Sequence, residues 1–567
     1  MKYLFGLFFC MAPVWISNSG ADEPSVAADT VLVNGKIWTV NAAQSEVEAL
    51  AIWRGRILAV GTTKEIRKLS GSRTAVIDLK GRRVVPGFYD SHVHLLGSGL
   101  RLSEVALKDA KDEAEFARRL HEYDQKLPRD RWLLGGEWDH DRTFGGQLPT
   151  AELIDRYVPN RPVFLRRYDG HMGVVNSQVL KLAGITEKTA DPAGGVIYRL
   201  PGSQKPSGLL RDNAMDLVVG LIPAPSEAAI AEAVEGALKE AAQNGVTSVQ
   251  DMEGSDEATR QKLFRLYQQL ARSGQLTCRI DLRWPVVEWK RIADLGISAR
   301  LGDDWIRVGG VKGFIDGSLG SSTAKMFDPF VNEPGSTGVY VTPLTKMREY
   351  VLGADRAGLS VAVHAIGDRG NADMLDIFAE VARQNGPRDR RFRIEHAQHL
   401  RPEDYRRFAD LGVIASMQPY HAIDDGRWAE GRIGEKRCAS SYAFRSLLDA
   451  GARLAFGSDW SVAPISPILG IDAAVNRRTL DGKNPQGWFP EQRISVAQSI
   501  QAYTLESAYA GFEEKDRGSL VAGKWADLVI LSRDILADSE RDHIAEAEVL
   551  LTMVGGKVVY QKHESSH

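Results

Sequence analysis

The chain has 567 residues, 43% hydrophobic and 26% charged, a globular balance with ample apolar material that excludes a disordered polypeptide. Its 71 Lys and Arg against 74 Asp and Glu leave a net charge of −3, and no long basic run departs from that, which removes any electrostatic case for nucleic acid. Three cysteines, Cys10, Cys278 and Cys438, lack Cys-x-x-Cys spacing, so neither a disulfide-stapled fold nor a paired-cysteine zinc site is expected.

In chain order, Lys2 precedes the apolar run YLFGLFFCMAPVWI, too short to span a bilayer comfortably, and Ser19 and Ala21 supply small residues before a cleavage point. Residues 1–21 therefore predict a cleaved Sec-type signal peptide, export to the periplasm, and no stable membrane insertion afterwards. An uncleaved membrane anchor is the alternative. Lipidation of Cys10 is disfavoured, because Phe9 stands where a small residue is needed.

Residues 29–86 read as short strands, TVLVNGKIWTV, EALAIWRGRILAVG and TAVIDLKGRRVV, separated by Asn-Gly, Arg-Gly and Lys-Gly turn signals. A barrel-like region is expected over 87–510. It begins with VVPGFYDSHVHLL, where the two-residue period of a strand points His92 and His94 to the same side. Asp90 shares that face and is placed to orient a ligand imidazole. From about 100 to 225 the alternation breaks, and the Gly- and Pro-rich text predicts an inserted α+β subdomain over the barrel mouth, where long excursions shape substrate access. His171 lies in that insertion, as a substrate contact or a structural histidine.

SEAAIAEAVEGALKEAAQN then has helical spacing and strong helix formers, followed by Gly245 and the strand GVTSVQDM. RSGQLTCRIDLRW, WIRVGGVKGFI, LSVAVHAI, RFRIEHA, GVIASMQ and ARLAFGS supply further strands, and with VVPGFYDSH they make the eight needed to close a (β/α)8 TIM-like barrel. A β-rich tail over 511–562 mirrors the first module.

Four of these apolar runs end in Lys312, His364, His396 and Asp459. Singly, each has an ordinary reading: a snorkelling lysine, two core histidines, a turn or N-cap aspartate. Jointly they fall at the strand ends that a parallel barrel brings to one face, together with His92 and His94. Imidazoles and a carboxylate suit a borderline divalent ion such as zinc, and two such ions clamp an attacking oxygen while polarising a carbonyl. Of lesser weight, Asp316 contacts substrate or caps a loop, with capping favoured; His421 lines the pocket; Trp460 forms an apolar wall or simply packs. His140 and His399 read as ordinary polar residues. Ser322-x-x-Lys325 has no Ser-Asp-Asn or Lys-Thr-Gly partner, and there is no Walker A or H-E-x-x-H sequence.

The order His-x-His, Lys, His, His, Asp, with DGHMGVVNS, VKGFIDGSLGSSTA, HAIGDRGNADML, RIEHAQ, SMQPYH and GSDWSVAP, resembles the two-metal amidohydrolase superfamily. Within it the text is similar to the subgroup containing N-substituted formamide deformylases, over nearly the whole chain beyond the first 28 residues. The resemblance implies that both chain ends pair into one β-sandwich beside the barrel. It implies two zinc ions: His92, His94, Lys312 and Asp459 on the first, Lys312, His364 and His396 on the second. Lys312 would be carboxylated by carbon dioxide to a bridging carbamate, Asp459 would act as general base and then acid, and the substrate carbonyl would face the second metal and His171.

The implied function is an exported hydrolase that cleaves a non-peptide C–N bond of a small amide, formamide or cyclic amide through a hydroxide shared by the metals. A non-catalytic binding or regulatory protein on the same scaffold and a one-metal deaminase are the rivals, although the deaminase would not require Lys312. Substrate identity is not legible, and a homodimer is left open.

Overall fold

The computed structural model describes residues 27–562 apart from 108, 130, 168–171, 193–194, 253, 255 and 321. The expected signal peptide and His171 thus lie outside the described residues. No helix among those described is long and apolar enough to cross a membrane.

Eight parallel strands, neighbours in chain order, form the central sheet: β1 (Phe88–Val93), β2 (Val246–Asp251), β3 (Arg279–Pro285), β4 (Ile306–Phe314), β5 (Ser360–Ala365), β6 (Arg393–His396), β7 (Ile414–Met417) and β8 (Arg453–Phe456). Every residue of β1 and β2 is buried, as a parallel strand covered on both faces requires. The sheet closes on itself just beyond β8. There the Asp459 N–H donates to the His92 carbonyl at 2.8 Å and the His94 N–H to the Trp460 carbonyl at 2.9 Å. The approach is too close for a side chain at Gly457, whose added Cβ would lie 2.6 Å from the His92 nitrogen.

Helices return the chain between strands, among them Glu227–Gln243, Glu257–Arg272, Leu344–Arg356 and Asp368–Asn385. The first is capped by Ser226, whose side chain accepts the Ala229 N–H. It packs through its alanine face on the short helix Leu95–Leu102 that follows β1, and Gly99 allows the contact, since a Cβ there would meet the Ala233 carbonyl.

Between that short helix and Glu227–Gln243 the chain builds the inserted α+β subdomain. Its six-stranded sheet runs Gly195–Arg199, Pro206–Asp212, Met172–Val175, Val163–Arg167, Leu133–Trp138 and Val105–Ala106 in spatial order. Alternation gives the sheet two apolar faces. Leu133, Val163 and Leu165 pack with Phe116, Leu120 and Trp138, whereas Phe164, Val175 and Leu210 pack with Val179 and Val218.

The chain ends combine beside the barrel, as expected. Leu528–Leu531 pairs antiparallel with Arg83–Pro86, so one sheet mixes N- and C-terminal strands, while a second sheet is formed by N-terminal strands alone. Leu32, Leu50, Ile52, Val84, Leu528, Ile530 and Leu551 fill the space between them. A buried bidentate pair ties this unit to the barrel: Arg279 on β3 donates to both oxygens of Asp527 at 2.9 and 3.0 Å. Removing one partner leaves a buried charge unpaired, so Asp527→Ala is expected to lower unfolding free energy by about 3–5 kcal/mol. Deleting the exposed pair Arg406–Asp410 should cost at most about 1 kcal/mol. Urea unfolding of both variants is the check, and equal effects would remove the pair from the anchoring role.

Candidate metal centre

β1 delivers His92 and His94 to the C-terminal end of the barrel, and the seam with β8 sets Asp459 against them. Asp459 Oδ1 lies 3.5 Å from His92 Nε2 and 3.3 Å from His94 Nε2. His92, His396 and Asp459 form a group whose donor atoms all fall within 4.8 Å of one another, each residue buried. Lys312 reaches into it from β4, with its Nζ 3.3 Å from His92 Nε2. His364 approaches from β5, its ring centroid 4.5 Å from that of His396. Its Nε2 meets the Gly317 carbonyl at 3.0 Å and lies 3.6 Å from Asp316 Oδ1. Five expected ligands are thus in direct contact with one another, and the sixth packs ring to ring on them with its Nε2 turned to the loop after β4.

Two of these residues have left-handed backbone, His396 at φ 73° and Asp459 at φ 56°. Side-chain-bearing residues rarely adopt it, and it is found where a site dictates where a side chain points.

The charge states follow from burial. Burial and then the Lys312 ammonium hold the His92 imidazole down to about 4, and the same two causes hold His364 at about 3. Burial, followed by His364, keeps His396 well below the ordinary range. All three are therefore neutral near pH 7, as metal ligands must be. Burial pushes the Asp459 carboxyl up, but the His92, His94 and His396 imidazoles outweigh it and hold the group well below the usual range, ionised. Burial also lowers the Lys312 amine to about 8. The donor set fits a divalent metal: neutral imidazoles, one carboxylate and a lysine that gives up its proton readily.

Glu395 is the residue that sequence reasoning missed. Its Oε2 sits 2.8 Å from His92 Nδ1, which fixes the ring and turns Nε2 toward Lys312 and Asp459. Arg393, two residues earlier on the same strand face, pairs with the other Glu395 oxygen at 2.5 Å and also donates to the Ser91 carbonyl and the Ser416 hydroxyl. Burial raises the Glu395 carboxyl, but Arg393 and His92 overcome it and hold it far below its ordinary value. Gln418 serves His396 in the same manner, Oε1 to Nδ1 at 2.8 Å.

Asp90, expected to hold an imidazole, instead accepts the backbone N–H groups of His92 and Ser458, both at 3.0 Å. It is a stitch across the β1–β8 seam, because the close approach at Gly457 puts backbone donors, not a ring, within its reach. Asp316 accepts three backbone N–H groups, those of Ile366, Gly367 and Lys325, and so joins the loops after β4 and β5. His421 stacks parallel to His396 at 6.4 Å, and its buried Nε2, 4.0 Å from Asp459 Oδ2, has no hydrogen-bond partner. Trp460 is buried beside Asp459 and walls a cavity of about 500 Å3 between barrel and insertion. His399 bonds Ser441 and Gln398 away from the cluster.

A model of the amidohydrolase family matches residues 75–560. The chain belongs to the amidohydrolase family. Over 554 residues, 96% of this chain and 94% of the relative, it is 40% identical to Protein LONG AFTER FAR-RED 3 of Arabidopsis thaliana, a name that states no chemistry. It is 27% identical over 548 residues, 94% of this chain and 98% of the relative, to the N-substituted formamide deformylase of Arthrobacter pascens. That distance supports the family and not the subgroup. Among solved structures, an uncharacterized metal-dependent hydrolase from Pyrococcus furiosus aligns with TM-score 0.74 and 30% identity, covering 90% of this chain and all of its own.

Two outcomes are expected. Glu395→Gln should weaken zinc binding about 10- to 100-fold, as loss of a group that orients a ligand histidine does, and should also lower the melting temperature, because the buried Arg393 loses its carboxylate partner; unchanged affinity would show that Glu395 does not position His92. Because Lys312 is a candidate ligand whose amine burial lowers to about 8, zinc uptake should begin to fall as pH drops through about 8, whereas His92, at about 4, adds no loss in the neutral range. Titration with a metal indicator checks this, and a loss centred near the ordinary histidine value would contradict it.

Proposed function

We propose that this amidohydrolase cleaves a non-peptide C–N bond of a small amide, formamide or cyclic amide. What supports the reading is the gathering of His94 and the neutral His92 and His396 with ionised Asp459 and the amine of Lys312 at the open end of the barrel. His92, His94, Lys312 and Asp459 would hold one divalent ion and Lys312, His364 and His396 another, zinc by donor chemistry. Bound there, such ions supply Lewis acidity toward a carbonyl oxygen and lower the pKa of water.

The chain's own residues do the rest. Asp459 keeps Oδ1 against His92 and His94, which leaves Oδ2, on the His421 side, to take a proton and return it to the departing nitrogen. His421 offers its unpartnered Nε2 to the substrate. Trp460 walls the cavity beside Asp459. Asp316 holds the two loops that frame His364, and its role toward substrate is indirect. Lys312, lowered to about 8 by burial, presents enough free amine near neutral pH to capture carbon dioxide, and the carbamate would give the site its bridging anion. His171 as a carbonyl contact, export after removal of residues 1–21 and assembly as a homodimer remain parts of the proposal that rest on the sequence.

The decisive experiment is a screen of N-formyl, N-acyl and cyclic amides against zinc-loaded protein with and without chelator. Chelator-sensitive turnover is expected, and Asp459→Asn should remove most of it, at least about 100-fold, while the protein still folds. Turnover unaffected by chelator, or by Asp459→Asn, would overturn the assignment. Protein stripped of metal and bicarbonate should recover only when both are returned, with a carbamate carbon visible by NMR after carbon-13 bicarbonate; recovery with zinc alone would remove Lys312 from the bridging role.

A further inference from the structure

The cavity of about 500 Å3 that separates the insertion sheet from the barrel mouth has a size usual for small-molecule sites. Two parts of its lining adjoin candidate metal ligands. Gly97, on its floor, stands with its Cβ direction 3.9 Å from the His94 Cβ, and Trp460 and Ser461, on its wall, directly follow Asp459. Its sides are apolar where the insertion supplies Leu134 and Phe164. Its charged lining is Arg101, Arg166 and Arg167 with Glu104 and Glu137, and Arg167 is already engaged by His140 at 3.3 Å.

Glu137 lies 3.7 Å from Arg101. Glu104 lies within electrostatic reach of both Arg101 and Arg166, and burial raises its carboxyl. Arg166 is exposed to the cavity, rests over the Phe164 ring at 5.5 Å and makes no salt bridge among the described residues. An apolar slot with an exposed planar cation that makes no salt bridge among the described residues is complementary to an apolar chain ending in a carboxylate.

We propose that this cavity receives the substituent of the amide substrate, and that Arg166 selects substituents that are apolar along their length and end in a carboxylate. The inference deepens the hydrolase reading and rests on it for the word substrate, but the pocket is testable by binding alone. The probes are 3-phenylpropionate and its neutral analogue 3-phenylpropanol, titrated calorimetrically into the full-length zinc-loaded protein. The acid should bind at least about tenfold more tightly than the alcohol. Arg166→Met should bring the acid down to the alcohol's affinity, Arg166→Lys should keep part of the preference, and Leu134→Trp, which fills the slot, should weaken both probes.

Equal affinities in the wild-type protein, no binding of either probe, or a preference that survives Arg166→Met would each overturn the pocket; the last would place the carboxylate on the metals instead. Arg166-dependent binding without turnover of any amide would sink the hydrolase reading and leave the pocket standing. Turnover that ignores a terminal carboxylate would do the reverse.

Discussion

The hydrogen bond from the Asp459 N–H to the His92 carbonyl is the point on which the molecule turns. It closes an eight-stranded barrel by joining the first strand to the segment after the last, and the same contact sets a buried imidazole beside a buried carboxylate. A barrel closed one residue out of register would move every side chain of β1 to the other face and leave His92 and His94 among the outer helices. Gly457, with no room for a Cβ, and Asp90, which accepts backbone N–H groups from both sides of the seam, are the residues that hold that register. Fold closure and assembly of the site are one event.

His92 is then bound from both ends. Glu395 and the Arg393 behind it fix one ring nitrogen, and Lys312 and Asp459 face the other. Burying an arginine, a glutamate and an imidazole together is costly unless each is paired. The chain meets that cost with a network whose members come from β1, β2, β6 and β7 and include Gln250, Ser91 and Ser416. The barrel core under the site is thus polar, and its network orients the candidate ligand His92.

The sequence displayed the eight strands because parallel strands buried on both faces are nearly continuous apolar runs, and it displayed His92, His94, Lys312, His364, His396 and Asp459 because each terminates such a run. It concealed Glu395. Neighbouring residues on a strand point to opposite faces, so a glutamate directly before a candidate ligand reads as pointing away from the site. The left-handed turn at His396 breaks that alternation, letting Glu395 and His396 approach His92 and Asp459 from the same side. Backbone conformation at a single residue leaves no periodic trace. Asp90 was misread for a related reason: the strand period gives the face of a side chain but not whether a backbone donor intervenes. The cavity against the insertion was equally hidden, since it arises from the packing of Leu134 and Phe164 over the helix after β1, a long-range relation without local signature.

On the function proposed, six strand-end residues form a two-metal site bridged through Lys312. Elemental analysis of protein purified and equilibrated with zinc and bicarbonate tests it most directly. Two zinc ions per chain are expected, falling to one or none in Lys312→Met with the fold retained. A metal-free wild-type chain, or two ions undiminished in Lys312→Met, would contradict it.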